Sequence, residues 1–312
     1  MEKTAKIYVA GHRGMVGSAI VSLLQSKGYN NLVYRSTSEL DLRKQSAVDQ
    51  FFKAEKPEYV FLAAARVGGI WANSTRSAEF IYDNLMIQSN VIHAAYQCGV
   101  KKLLFLGSSC IYPRECPQPM KEEYLFSGYF EPTNESYALA KATGLKMCVA
   151  YRKQYGCNFI SIMPTNLYGP GDNYDLNNSH VMPALLRKFH EAKIRGEKKV
   201  VVWGSGKPLR EFLHVDDLAE ACLFLMQNYD EELWINCGSG EEISIGDLAK
   251  LVKEVTECSA EIIFDQDKPD GVMRKLVDCS RIHALGWKHK ITLKEGLRNI
   301  YENYFLQDCQ KY

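Results

Sequence analysis

Tyr137 and Lys141 stand four residues apart in the run Asn134-Glu-Ser-Tyr-Ala-Leu-Ala-Lys141. On a helix that spacing puts the phenol and the ammonium on one face. A fixed positive charge beside a tyrosine eases loss of its proton from the ordinary pKa of about 10. Such a phenol can trade a proton with a sugar hydroxyl or ketone while a nicotinamide ring trades the hydride. The pair therefore calls for a dinucleotide, and the N-terminal segment supplies the residues for one. Gly11, His12, Arg13, Gly14, Met15, Val16 and Gly17 follow an apolar run and open a helical one. Glycines let the backbone turn sharply and approach a pyrophosphate, and the helix N-terminus behind them offers free N–H groups and a positive dipole end.

The end of the second strand reports the kind of dinucleotide, because an NAD site usually carries an acid there for the ribose 2′-hydroxyl. Here it reads Val33-Tyr-Arg35-Ser-Thr37. Arg35, with Arg13 from the glycine loop, suits a 2′-phosphate and favours NADPH. Asp41 lies too far along to serve the ribose and is expected to cap the next turn or to meet the adenine side.

Further along, Leu106-Gly107-Ser108-Ser109-Cys110 ends a strand. Ligands bind outside the carboxyl ends of parallel strands, so this loop should border the nicotinamide. Ser108 can hydrogen-bond the same substrate oxygen as Tyr137. Two readings of Cys110 stay open: a thiol that fills space, or a proton-transfer group. His180 opens a helical pattern. It is either a capping or structural histidine, or an imidazole whose pKa the helix N-terminus lowers for acid–base work. In the last third, Arg210 could pair with a diphosphate and Trp203 could pack on a base, a sugar or the core. Asp216 and Asp217 read as helix cap and dipole partners. Lys268-Pro-Asp270-Gly271 reads as a turn, with a ribose or base contact from Asp270 left open.

Bulk properties narrow the classes. A chain of 312 residues with 46% hydrophobic content can bury a large core. A formal net charge of +1 without a long like-charge run argues against nucleic-acid binding and a polybasic membrane anchor. The first residues carry no apolar stretch of the signal-peptide kind, and the apolar runs are strand-length rather than membrane-length. Ten cysteines show no C-x-x-C pair, and the seven histidines form no metal-like cluster. A cytoplasmic chain with reduced thiols and no metal is expected.

Short apolar runs alternate with helical patterns, the mark of βαβ units on a parallel sheet. Strands are expected at 6–10, 32–34, 59–63, 102–106 and 159–163, with helices at 15–25, 46–56, 77–98 and 134–155, the last capped by Asn134. Beyond residue 171 the loops lengthen. Strands at 200–203, 233–236 and 261–264 are interleaved with helices at 180–195, 215–227, 245–256 and 293–304. The pattern is α/β: a doubly wound parallel sheet of Rossmann type over 1–170, then a smaller C-terminal α/β lobe over 171–312 with a soft, interleaved boundary.

Taken together, the segments 10–17, 63–70, 105–113, 131–138, 163–170, 178–181, 203–206, 210–217 and 268–271 resemble the extended short-chain dehydrogenase/reductase family. Within it they look like the branch that epimerises and reduces GDP-4-keto-6-deoxy-D-mannose. The likeness spans nearly the whole chain, and the Ser-Ser-Cys loop with the Ser-His element is its most specific part. It implies Tyr137 as proton donor, Lys141 on the nicotinamide ribose and Ser108 completing a triad. Cys110 and His180 would be the base and acid of two epimerisations. The glycine loop, Arg35, Leu106, Gly107, Pro164, Thr165, Asn166, Leu167 and His180 would hold NADPH. Lys188, Trp203, Arg210 and Asp270 would hold the GDP-sugar in the C-terminal lobe. Where this family often has Arg, Lys188 offers a point charge without a bidentate fork. The rival readings are another nucleotide-sugar epimerase or 4,6-dehydratase of the same family, and a non-catalytic NADPH-binding sensor. A dehydratase usually places an acidic pair where Ser109-Cys110 stands, and a sensor commonly loses Tyr or Lys; neither pattern is found here. The resemblance also implies a homodimer built on helices 77–98 and 134–155.

Overall fold

The computed structural model describes residues 1–176, 179–268 and 270–306. Asn178 and Pro269, each part of a motif quoted above, lie outside the described residues.

Strand β1 (Ile7–Ala10) is buried along its whole length, as a strand covered on both faces must be. Helix α1 (Met15–Ser26) crosses back to β2 (Leu32–Val33), and α2 (Gln45–Glu55) leads to β3 (Tyr59–Leu62). A short α3 (Ile70–Thr75), which the apolar pattern omits, precedes the long α4 (Ser77–Gln97), expected at 77–98. Strand β4 (Lys102–Leu106) precedes α5 (Glu135–Tyr155), which Gly156 ends in the left-handed region at φ 70°. Asn134 makes no side-chain cap; the Glu131 carboxylate accepts from Thr133 in the turn before it instead. Then come β5 (Phe159–Pro164), β6 (Asn166–Tyr168), α6 (Val181–Arg195), β7 (Lys199–Trp203), β8 (Leu209–His214), α7 (Val215–Asn228), β9 (Ile235–Cys237) and β10 (Glu242–Ser244). The described chain closes with α8 (Ile245–Thr256), β11 (Glu261–Asp265), β12 (Arg274–Lys275), α9 (Ser280–Ala284) and α10 (Leu293–Ile300), which runs on as a wider π turn over Tyr301–Phe305.

The main sheet is parallel, in the order β2-β1-β3-β4-β5-β9. Its direction of winding reverses between β1 and β3, which opens a crevice at the carboxyl ends of those strands. Its edge strand β9, and α7 packed on α1, come from the second half of the chain. A second set of strands centres on β8, paired with β10, β12 and β6, beside the pair β7–β11. Two apolar clusters match these groups: one around the main sheet, and a smaller one that includes Tyr168, Phe189, Leu248 and Phe305.

The polar pair Arg210 and Glu211 hides β8 from a reading by apolar runs. Glu211 is fully buried, and its carboxylate accepts from the amides of Gly240 (2.7 Å) and Val277 (3.1 Å). The expected cap at Asp216 and Asp217 is also differently built. His214 Nδ1 accepts from the Asp216 amide at 3.2 Å, while the Asp217 carboxylate accepts from the Lys290 and Ile291 amides, each at 3.0 Å.

Candidate active site

The glycine loop is closed by contacts no side chain would survive. A Cβ on Gly17 would stand 2.0 Å from the Gly11 carbonyl oxygen, and one on Gly11, at φ +86°, 2.7 Å from the Ala64 amide. The backbone between β1 and α1 therefore packs too closely at Gly11 and Gly17 for any side chain. Gly14 caps α1 without a side chain, and no acid stands in the first turn. The positive helix end faces outward unneutralised, which fits a diphosphate. His12 stacks on Tyr34 at 4.6 Å between ring centroids. Arg13 is exposed and makes no ion pair among the described residues. Arg35, by contrast, is engaged: its guanidinium pairs with Glu55 at 2.6 Å and donates to the Tyr34 carbonyl at 2.8 Å. Asp41 accepts from the Arg43 amide at 3.0 Å and chelates its guanidinium through two bonds of 2.9 Å, so it caps the turn that follows it.

Across the crevice, α5 carries Tyr137 and Lys141 under the ends of β4 and β5. Lys141 is 3% exposed and donates to the Leu106 carbonyl at 2.7 Å. Burial pushes its pKa down to about 7. The Tyr137 phenol is pushed up, first by burial and then by Cys110, with Ser108 alone favouring its ionised form. This departs from the expectation of an ammonium that acidifies its neighbouring phenol. The Lys141 side chain is turned toward the Leu106 carbonyl and is not among the causes of the Tyr137 shift; desolvation leads for both groups.

Ser108 sits at the end of β4, and its hydroxyl accepts from the Cys110 amide at 3.2 Å. Gly107 is packed so closely that a Cβ there would clash with Met163 at 2.2 Å. Beyond β5, Pro164, Thr165, Asn166 and Leu167 run from the main sheet to β8. Asn166 Nδ2 donates to the Glu211 carbonyl at 2.8 Å, and the Thr165 amide to the Cys237 carbonyl at 2.9 Å. The segment is thus held from two sides.

Cys110 brings in a residue that sequence reasoning missed. Lys275, on β12, places its ammonium 3.3 Å from the Cys110 sulfur. Burial alone would raise the thiol pKa, but Lys275 and Ser108 outweigh it and the net shift is downward. His180 stands at the start of α6 without making a side-chain cap, which removes the capping reading. Its surface is exposed, yet the protein around it desolvates the ring, and that desolvation, followed by the charge of Lys275, lowers its pKa. Ser108, Cys110, Tyr137, His180 and Lys275 thus gather in one place. No spacing signals Lys275, which is 165 residues from Cys110 along the chain.

Lys188, Trp203, Arg210 and Asp270 lie on the β7–β8 side. Trp203 is 62% exposed, with the ammoniums of Lys188 and Lys268 at 5.3 and 5.5 Å from its ring. Lys188 also donates to the Val201 carbonyl at 3.0 Å. Arg210 is partly desolvated, which depresses its pKa, and the nearby Asp270 opposes this. Asp270 accepts from the Ser205 amide at 2.6 Å and the Ser205 hydroxyl at 2.8 Å, so its first duty is to hold the 203–206 turn. Among the described residues no cluster of His, Cys, Asp or Glu forms a metal site, and no helix is long and apolar enough to cross a membrane.

A parallel sheet with a glycine cradle at its switch point and a Tyr–Lys helix beside it is the frame of a nucleotide-dependent sugar-modifying enzyme. The chain belongs to the NAD dependent epimerase/dehydratase family, whose sequence model matches residues 7–246. Over 311 residues it is 60% identical to a putative GDP-L-fucose synthase 2 of Arabidopsis thaliana, covering 100% of this chain and 95% of that one. Identity to the GDP-L-fucose synthase of Escherichia coli (strain K12) is 51% over 317 residues, covering 98% of each. The structure also superposes on a GDP-L-fucose synthetase from Naegleria fowleri bound to NADP, with a TM-score of 0.93, 31% identity and coverage of 99% and 95%.

Proposed function

We propose that this protein converts GDP-4-keto-6-deoxy-D-mannose to GDP-L-fucose, inverting C3 and C5 and then reducing C4 with NADPH. The observation that carries the reading is the gathering of Ser108, Cys110, Tyr137 and His180 beside the glycine cradle, in a chain with full-length identity to the synthases above.

The C4 ketone makes the hydrogens at C3 and C5 acidic, because the resulting carbanion is an enolate. Ser108 and Tyr137 donate to O4 and stabilise the charge that develops there. One of Cys110 and His180 removes the proton from a ring carbon, and the other returns a proton to the opposite face. A bound NADPH supplies hydride chemistry for C4, and Tyr137 gives its proton to O4. The bare loop at Gly11, Gly14 and Gly17 and the free end of α1 hold the diphosphate, with Arg13 and Arg35 near the 2′-phosphate. Lys141 takes the nicotinamide ribose, while Leu106, Gly107 and the segment Pro164, Thr165, Asn166 and Leu167 close on the ring. Lys188, Trp203, Arg210 and Asp270 hold the GDP moiety, with Trp203 as a flat surface for it.

The test is NMR of the product formed from GDP-4-keto-6-deoxymannose and NADPH in heavy water. Deuterium at C3 and C5 with protium at C4 is expected. An untouched ketone with unconsumed NADPH sinks the reading, and turnover of GDP-mannose without net cofactor use would move the protein to the dehydratases. The protein is also proposed to be cytoplasmic, in keeping with free thiols at all nine described cysteines, and homodimeric through α4 and α5. A monomer mass in sedimentation would remove the dimer.

A further inference from the structure

The geometry points to Lys275 as the positioning residue that holds Cys110 as a thiolate, ready to take a proton from the sugar ring. The inference rests on the epimerase reading above and assigns a task to a residue which that reading does not use.

The first argument is the partner of the ammonium. Lysines near carboxylates across this protein pair with them, as Lys101 does with Glu58 and Lys290 with Glu220. Lys275 makes no ion pair among the described residues, and its hydrogen bond runs to the Cys110 sulfur at 3.3 Å. A half-buried ammonium without a carboxylate gains most when its partner becomes an anion, and a thiol is the group beside it that can.

The second argument is how firmly the lysine is placed. The two-residue strand β12 is braced on every side. Arg274 forks onto Glu242 with bonds of 2.7 and 2.6 Å. The Leu276 amide donates to Gln118 Oε1 at 2.9 Å, and the Leu276 carbonyl accepts from Met120 at 2.7 Å. The Val277 amide donates to the buried Glu211 at 3.1 Å. So many anchors for so short a strand fix where residue 275 projects.

The third argument is register. Lys275 pairs with Arg210 across the parallel ladder of β12 and β8. Paired residues on neighbouring parallel strands share a face. Substrate drawn to Arg210 by its diphosphate is thereby brought to the strand pair that also carries the support for Cys110.

The ionisable groups around the thiol are Lys275 from β12 and Tyr137 from α5, with the Ser108 hydroxyl from its own loop. His180, at the head of α6, feels the same ammonium. Of these, Lys275 is the one whose charge favours the thiolate. In the step it serves, the C–H bond at the ring carbon breaks, its proton forms an S–H bond on Cys110, and the electron pair passes into the enolate at O4. Lys275 itself neither gains nor loses a proton.

The test titrates the thiol without any sugar. Iodoacetamide alkylation of Cys110 is followed against pH by peptide mass spectrometry in the wild-type protein, K275M and K275R, with C110S as the blank. Removing a cation at this distance should move the inflection of K275M upward by about one pH unit or more, some ten-fold less thiolate at a given lower pH. K275R, which keeps the charge, should stay near the wild type. With substrate, the acid limb of deuterium entry at C3 and C5 should move with the alkylation curve in K275M. Coincident alkylation curves overturn the inference, as does a pH-independent loss of exchange shared by K275M and K275R. Because the alkylation curves need no substrate, they stand or fall apart from the identity of the sugar.

Discussion

Lys141 predicts that dinucleotide binding draws a proton from solution. In the free protein its ammonium is 3% exposed, makes no ion pair among the described residues, and is held at a pKa of about 7 by burial. A ribose and its diphosphate brought to the crevice supply acceptors and negative charge, both of which favour the charged lysine. If the pKa returns to about 10.4 on binding, uptake at pH 7 is about half a proton per site, rising to about 0.9 at pH 8 and falling to about 0.1 at pH 6. The sign follows from the direction of the shift: binding raises the lysine pKa, so protons enter wherever the free site is partly neutral. Isothermal titration with NADPH in phosphate and in Tris gives the number directly, because the two buffers differ in ionisation heat. The 2′-phosphate, with a second pKa near 6, contributes its own proton change at the acid end. K141M retains that contribution and loses the lysine's, so the difference between the two proteins isolates Lys141. A difference near zero between pH 7 and 8 would refute the reasoning and mean that the buried side chain is already charged, or stays neutral, in both states.

Two perturbations probe the cofactor side. Gly17→Ala puts a methyl 2.0 Å from the Gly11 carbonyl oxygen, so the loop must shift; stability should fall by about 1–3 kcal/mol and NADPH affinity with it, read by thermal melts and fluorescence titration. Glu55→Gln removes the anion that pairs with Arg35 at 2.6 Å; at a partly exposed pair this should tighten NADPH by about two- to five-fold and leave NADH unchanged, and equal effects on both would show that Arg35 does not face the 2′-phosphate.

What the sequence disclosed follows the range of the forces involved. The parallel strands are apolar along their length, and the Tyr137–Lys141 pair lies on one helix, so both were legible from local pattern. The glycine loop was legible because its need for bare backbone is local too. Relations between distant segments were not. Lys275 meets Cys110 through the fold of the C-terminal lobe, and Arg35 meets Glu55 across the β2–α2 connection. Strand β8 escaped because Glu211 is buried as a hub for backbone amides, a role that leaves no apolar signature. The ionisation of Tyr137 was misjudged for a related reason: spacing shows that an ammonium is near, whereas desolvation depends on everything else packed around it.

That misjudgement sharpens the chemistry. In the proposed reaction the donor to O4 must keep its proton until the oxygen becomes basic, and a phenol pushed up by burial is suited to that. A base for the ring carbons in the proposed reaction must lose its proton early, and a thiol drawn down beside Lys275 is suited to that. Environments that drive two neighbouring groups in opposite directions sort them into acid and base. Cys110 is itself one cause of the raised Tyr137 pKa, so the two are linked. While the sulfur is anionic it discourages ionisation of the phenol, and once it has taken a ring proton that restraint is lifted. In the proposed reaction, proton abstraction at carbon would therefore make Tyr137 the stronger acid toward O4, at the stage where the enolate oxygen carries the charge that Tyr137 must meet.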